Sequence, residues 1–429
     1  MLFSTIIDYF CGNEIYTSEN NRKKQLFLYL SIGVNLSILG FFKYFNFFID
    51  STIQFLSLFG FEGNLTLIQV ILPIGISFYT FQSMSYSIDI YRGDAKPATS
   101  FLRFATFVSL FPQLIAGPIV RYRLFADQLQ LLDTKKVQAK EFLTGVFFFV
   151  MGLAKKMIIA DNLAPLADKL FDSNGVVLFW ESWAGTLAYT FQLYFDFSAY
   201  SDMAIGLGLM LGFRLPINFK SPYKSSSISE FWGRWHISLS HYLRDYLYIP
   251  LGGNRFGNLL TIRNLFIVMF LGGLWHGANF TFILWGIYHG LLLAINHSLR
   301  NFITFNSKAI FTALTFITVC FGWSIFRSPD LTRAQEVLTG LLGLNGFENI
   351  LLFTESSATF GSLPIIIDIF GGPKIFLMLI SAFFIAFFIK NSNEIAKDLD
   401  TKKAIFAGIL FTFSISLLSV GTPFLYFQF

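Results

Sequence analysis

Long apolar runs alternate with short polar connections along almost the whole chain. A helix needs about 20 mostly apolar residues to cross a bilayer. Runs of that kind lie at 25–48, 66–90, 101–120, 142–160, 178–212, 258–274, 276–296, 306–327, 375–390 and 404–427. The run 178–212 exceeds a single span, so two helices, or one helix and a re-entrant piece, are expected there. The total expected is about nine to eleven membrane helices. A β-barrel would alternate apolar and polar residues over about ten positions per strand, whereas these runs are continuous and rich in Leu, Ile and Phe. The pattern predicts an all-α polytopic membrane protein, with residues 1–429 forming one integral-membrane domain.

Interruptions of the pattern add detail. Leu72-Pro73-Ile74-Gly75 and Ala116-Gly117-Pro118 place Pro and Gly inside or at the ends of spans, where they kink helices and free backbone groups that protein or water must satisfy. Asp161-Asn162-Leu163-Ala164-Pro165 reads as a turn into an amphipathic surface segment, and 328–374 as an extramembrane loop with one surface helix. From Pro216 to Arg255 the chain holds Asn218, Lys220, Glu230, Arg234, His236, His241, Arg244 and Asp245 among Trp and Tyr. That load is too polar to face lipid, so short interfacial or re-entrant helices with their polar side inward are expected. Residues Met1 to Phe10 lack the basic start and small-residue cleavage site of a signal peptide. No internal repeat suggests an inverted-repeat transporter.

Composition strengthens this picture. Only 13% of the 429 residues are charged and 54% are hydrophobic, against roughly 25% charged in soluble domains. The net charge of +5 comes from short clusters such as Arg22-Lys23-Lys24 and Lys135-Lys136 between apolar runs. These fit cytoplasmic loops, and no nucleic-acid partner is implied. Cys11 and Cys320 offer neither a disulfide framework nor a Cys-x-x-Cys site.

Ionisable groups at membrane depth are costly and usually functional. His276 lies in Leu271-Gly272-Gly273-Leu274-Trp275-His276-Gly277-Ala278, and His236 in the polar stretch Glu230-Phe231-Trp232-Gly233-Arg234-Trp235-His236-Ile237-Ser238. Together they suggest proton-transfer chemistry inside the bilayer. His241 follows His236 by five residues, about 140° around a helix, which disfavours a two-histidine metal pair. His289 is thirteen residues from His276, again about 140° away, and reads as a packing or supporting residue; His297 reads as interfacial. Asp196 and Asp202 share one apolar run and could orient an imidazole or pair with Arg. No metal site and no nucleotide-binding loop is expected. A histidine base needs no bound cofactor, since its ordinary pKa near 6.5 suits it to take a hydroxyl proton.

These motifs resemble the membrane-bound O-acyltransferase family. The run from Glu230 to Ser240, followed by Leu243-Arg244-Asp245-Tyr246-Leu247-Tyr248-Ile249-Pro250-Leu251-Gly252-Gly253-Asn254-Arg255, is similar to the bacterial branch that O-acetylates alginate and related polysaccharides. Gly272-Gly273-Leu274-Trp275-His276-Gly277-Ala278-Asn279 resembles that branch's second signature, and Asp89-Ile90-Tyr91-Arg92-Gly93 and Tyr194-Phe195-Asp196-Phe197-Ser198 add to the likeness. The resemblance implies a ring of tilted helices around a thin core with a central tunnel. It implies His276 as the catalytic general base, or as the group that positions the acyl thioester for attack, and His236 as the second catalytic polar group, at the other side of the same tunnel. Arg234, Arg244 and Asp245 would shape the donor side, with Asp196, Asp202 and Trp275 as further substrate-binding candidates. It also implies acetyl-CoA as acyl donor, a polysaccharide acceptor, a periplasmic SGNH-type acetyltransferase partner and a bacterial inner-membrane location. The opening Met1-Leu2-Phe3-Ser4-Thr5 resembles a point inside the family's N-terminal region, implying family spans ahead of it. Rival readings are a polysaccharide-export or proton-coupled transporter subunit using the histidines as a relay, or a protein- or lipid-modifying acyltransferase of the same family.

Overall fold

The computed structural model describes residues 1–60, 72–131, 134, 136–299, 307–347, 368–418 and 422–425. Among them all regular structure is helical. Among the described residues, five helical stretches are long and apolar enough to cross a membrane: Asn21–Ser57, Ala139–Phe171, Asn258–His276, Phe280–Leu299 and Lys308–Arg327. A sixth is added if Gly372–Phe388 and Ser392–Asp398, bent by 57°, count as one broken span. The starts of the expected runs 66–90 and 306–327, the end of 404–427 and the middle of 328–374 lie outside the described residues.

The chain divides into two compact units. The first comprises Met1–Gly145 and Ala204–Pro216. It is built on α1 (Leu2–Thr17), α2 (Asn21–Leu39), which runs through a π turn into α3 (Phe45–Ser57), and α4 (Ile76–Arg92). Buried Asp8 ties α1 to α2, accepting hydrogen bonds from Ser31 Oγ at 2.6 Å and Asn35 Nδ2 at 2.8 Å. Gly75 starts α4 with φ 75°, and a Cβ there would strike the Leu114 carbonyl, so the Pro-Ile-Gly sequence needs its glycine. The expected span 101–120 is not one helix. It is split into α5 (Phe101–Ser109) and α6 (Phe111–Leu114) at Pro112, which lacks the N–H that an uninterrupted helix would use. After it come α7 (Tyr122–Gln130) and α8 (Ala139–Ala154).

The second unit comprises Val146–Met203 and Ile217–Phe429. Here α8 continues through a π turn at Lys155–Ala160 into α9 (Asp161–Phe171). The turn expected at Asp161–Pro165 is therefore helix, with Pro165 inside α9 just after the π turn. The expected break within 178–212 is also absent, and α10 is one helix over Phe179–Met210. The polar layer is made of short pieces: α11 (Ile228–Trp232), and α12 (Ile237–Leu243), which runs on through a π turn at Arg244–Tyr248. From Ile237 to Tyr248 this stretch reaches only about 17 Å, short of the about 30 Å of a bilayer's hydrocarbon core. The remaining helices are α13 (Asn258–His276), α14 (Phe280–Leu299), α15 (Lys308–Arg327), α16 (Leu331–Leu341), α17 (Gly372–Phe388), α18 (Ser392–Ile395) and α19 (Thr401–Ser416). Among the described residues of 328–374, α16 follows α15 directly and is capped by Asp330, which accepts from the Arg333 N–H at 2.7 Å.

Candidate active site

The site is set by the α13–α14 hairpin. Small residues let the two backbones approach closely. A Cβ on Gly273 would collide with the Phe282 carbonyl, and one on Gly286 would lie 2.5 Å from the Met269 carbonyl. His276 is the last residue of α13, with only 8% of its surface exposed. Aromatic rings pack around its imidazole: Trp275 at 5.0 Å, Phe326 at 5.1 Å and Trp285 at 5.2 Å between centroids.

His276 lines a cavity of about 280 Å³. Leu265, Val268, Met269, Gly272 and His276 form one wall, spaced as a single face of α13. From Leu265 to His276 this stripe covers about 16 Å of helix. Trp232, Leu243, Arg244, Tyr248 and Trp285 stand on other sides of the cavity. Leu243 lies opposite Gly272, while the Leu251 carbonyl accepts from Asn264 Nδ2 at 3.2 Å. Arg244 and Tyr248 therefore run along the N-terminal half of α13.

His236 is placed differently. It caps the start of α12 in the left-handed region, φ 42° and ψ 54°, a backbone state that costs a non-glycine residue about 1 kcal/mol or more. Its Nδ1 lies 3.1 Å from Asn218 Oδ1. That oxygen also accepts from the Ser238 N–H at 3.2 Å and Ser238 Oγ at 2.9 Å. With two donors already on it, the oxygen acts as acceptor for the ring as well, which places the proton on Nδ1 and the lone pair on Nε2. Burial pushes the imidazole's pKa down to about 3, so it is neutral at ordinary pH. His276 lines the cavity and His236 does not. Trp275 touches both rings, at 6.1 Å from His236 and 5.0 Å from His276.

The other candidates separate into groups. Arg244 donates from Nε to Asp245 Oδ1 at 2.7 Å, and its half-exposed side chain reaches the cavity. Arg234 is paired with Glu230 at 2.6 Å and does not line the cavity. Asp196 and Asp202 meet lysines, not an imidazole or an arginine: Lys156 Nζ lies 2.7 Å from both Asp196 and Asp161, and Lys155 Nζ lies 2.6 Å from Asp202. The segment Thr422–Leu425 closes over the Lys156 group, with Thr422 Oγ1 donating to Asp161 at 2.6 Å and the Leu425 N–H to Asp196 at 2.9 Å. His289 is wholly buried between Trp285 at 4.9 Å and Trp232 at 5.2 Å. Gly322 leaves it room, since a Cβ there would lie 2.7 Å from His289 Nε2.

Sequence reading missed Asn218, Trp232, Trp285 and Gly272 as site residues. Asn218 carried a signal, being an amide between Ile217 and Phe219, two residues after Pro216. Trp232 looked like an interfacial aromatic, and Trp285 and Gly272 like ordinary membrane-helix residues. Among the described residues no cluster of His, Cys, Asp and Glu could hold a metal ion.

The sequence signature of the membrane-bound O-acyltransferase family matches residues 98–328. The chain is 51% identical over 346 residues to the "Probable alginate O-acetylase" of Pseudomonas syringae pv. tomato, covering 80% of this chain and 66% of that protein. It is 43% identical over 348 residues to the protein of the same description from Pseudomonas putida, covering 80% and 70%. It is 38% identical over 465 aligned positions to the peptidoglycan O-acetyltransferase of Helicobacter pylori, covering 99% and 86%. The chain thus spans about two thirds of the alginate relatives' length and more of the Helicobacter protein.

Proposed function

Since the chain belongs to the membrane-bound O-acyltransferase family, we propose that it is a multi-pass membrane O-acetyltransferase that moves an acetyl group from acetyl-CoA toward hydroxyls of an extracellular or periplasmic polysaccharide. One observation carries the reading: the His276 imidazole borders a largely apolar cavity that also meets the Arg244 guanidinium. The relatives named for alginate and peptidoglycan O-acetylation support the acetyl group and the polysaccharide class.

The chemistry follows from the residues. The acceptor hydroxyl gives its proton to the His276 imidazole as its oxygen attacks the thioester carbonyl. A C–O bond forms, the C–S bond breaks, and the thiol leaves with a proton. Such a base accelerates transfer by about 10²–10⁴-fold. Arg244 suits a phosphate-bearing donor, because a guanidinium binds phosphate oxygens in a fixed fork. Charge orients the path. Arg255 and Arg263 mark the end of the hairpin where α13 begins, while Asp168, Asp172 and Asp330 cluster with Arg327 and Asn279 near the opposite end. Basic loops stay in the cytoplasm, so the donor enters along Arg244 and the acetyl group leaves beyond His276. The location is then the bacterial inner membrane, and a periplasmic SGNH-type acetyltransferase is the partner that completes transfer to the polymer.

The test is acetyl-CoA turnover by purified protein with an alginate oligosaccharide, alongside polysaccharide acetylation in a complemented deletion strain. His276→Ala is expected to abolish transfer with an unchanged melt and normal membrane insertion. Near-normal acetylation by His276→Ala would overturn the role of the base. A wild-type protein that never releases CoA thiol would overturn the enzyme reading and favour a transporter.

A further inference from the structure

The two acids of α10 share one face of the helix. At about 100° per residue, Asp196, Ala199 and Asp202 fall within about 120° of one another, while Phe197 and Ser201 fall on the opposite side. The contacts follow that division. On the acid side, Lys155 Nζ lies 2.6 Å from Asp202 and Lys156 Nζ 2.7 Å from Asp196. Gly152 of α8 packs against the same side, since a Cβ there would lie 2.5 Å from the Ala199 carbonyl. On the other side, Phe197 meets the His236 ring at a near right angle with 4.8 Å between centroids, and Ser201 Oγ accepts from Asn218 Nδ2 at 3.2 Å. Asn218 in turn holds His236 Nδ1. One helix therefore carries ion pairs on one face and the seat of His236 on the other.

The pairs are placed to set the rotation of α10. Asp196 and Asp202 are six residues apart, about 9 Å along the axis, so the two lysines grip the helix at two heights. Both pairs are nearly closed to water, with 14% and 7% of the Lys155 and Asp202 side chains exposed and 5% and 4% of Lys156 and Asp196. Apolar side chains of similar volume would stabilise such a site at least as well, and fixing a register is the best-attested use of buried charge. A side chain about 5 Å from the helix axis moves by about 1 Å when the helix turns by about 10°, and a misplacement of about 1 Å can slow a reaction about 100-fold. We propose that the Lys155–Asp202 and Lys156–Asp196 pairs fix the rotation of α10 and thereby set the position and tautomer of His236, which makes Lys155 and Lys156 positioning residues for acyl transfer. This rests on the reading above that the protein transfers an acetyl group.

The test separates position from stability. Two neutralised proteins are made: Lys155→Met with Asp202→Asn, and Lys156→Met with Asp161→Asn and Asp196→Asn. Each removes ion pairs without leaving a buried charge unpaired, and the first keeps the test decisive if the second does not fold. Isotope-labelled histidine read by NMR reports the tautomer of His236, whose signal is assigned by its loss in His236→Gln. The wild type should show His236 with its proton on Nδ1 alone. Each neutralised protein is expected to melt within a few degrees of wild type and to show a second His236 tautomer. Its kcat with acetyl-CoA should fall about ten- to a hundredfold while KM stays within about twofold. A folded variant that keeps the wild-type His236 signal overturns the proposal, even if its activity falls. A changed signal with wild-type kcat overturns it too, as does loss of the fold in both neutralised proteins. A wild-type protein that turns over no acetyl-CoA sinks the transfer reading instead, and the NMR comparison then decides by itself whether the ion pairs set His236.

Discussion

The Asn218 side chain holds His236 from eighteen positions away in sequence, with 3.1 Å between Asn218 Oδ1 and His236 Nδ1. The same oxygen secures the first turn of α12 through Ser238. Asn218→Leu should remove these bonds, leave the Ser238 donors buried and lower stability by about 1–3 kcal/mol. It should also reduce acetyl transfer, because the hydrogen bond that sets the tautomer of His236 is then lost. A thermal melt in detergent and the oligosaccharide assay measure the two effects. Unchanged transfer by Asn218→Leu would show that the orientation of His236 is irrelevant.

Acid should expose the burial of His236. Its folded pKa of about 3 lies below the unfolded value of 6.5. Between these values the unfolded chain binds a proton that the folded chain refuses, so stability falls as pH drops below about 6.5. The loss from this group reaches about 2 kcal/mol by pH 5. Melting temperatures from pH 7.5 to 4.5 should show the decline, and His236→Gln should make it shallower. A His236→Gln variant with the wild-type pH slope would refute the assignment.

Lys156 is enclosed between Asp161 and Asp196, with each carboxylate 2.7 Å away. Lys156→Met would leave two buried acids without their cation, which costs about 3–5 kcal/mol. The triple change Lys156→Met, Asp161→Asn, Asp196→Asn should recover much of that loss, since it removes the unpaired charge. Melts of the two variants decide the matter. A Lys156→Met protein as stable as wild type would mean that the group carries little net charge.

Gly273 should tolerate no side chain. A Cβ there meets the Phe282 carbonyl and the backbone of Gly286, so Gly273→Ala should separate α13 from α14 and cost about 1–3 kcal/mol. Blocking a tunnel at Gly273 with a larger residue would confuse passage with packing. Gly272→Ala supplies the contrast on the neighbouring face. Equal melting temperatures for Gly273→Ala and wild type would contradict the close helix contact.

The sequence by itself determined the helical class, the membrane location, the non-spanning layer between Pro216 and Arg255, and the prominence of His276 and His236. These depend on quantities that add along the chain: the transfer cost of each residue, and the polar load of a segment. The family likeness was legible too, because its two long signatures are contiguous in sequence. Breaks were less legible. Pro112 divided an expected span, while Pro165 and the long run 178–212 broke nothing, because a helix stops only where its freed backbone groups find other partners.

Tertiary structure alone decided which polar groups meet. Asp196 and Asp202 found Lys156 and Lys155, some 40 or more residues away. His236 found Asn218, and His276 was left facing a cavity with Arg244. Only packing could show that Gly273 meets the backbone of a neighbouring helix while Gly272 borders a cavity opposite Leu243. Spacing along a helix fixes which residues share a face. Which face meets a neighbour, and which borders a cavity, is set by how close and at what rotation the helices pack, and no local pattern in the chain records that.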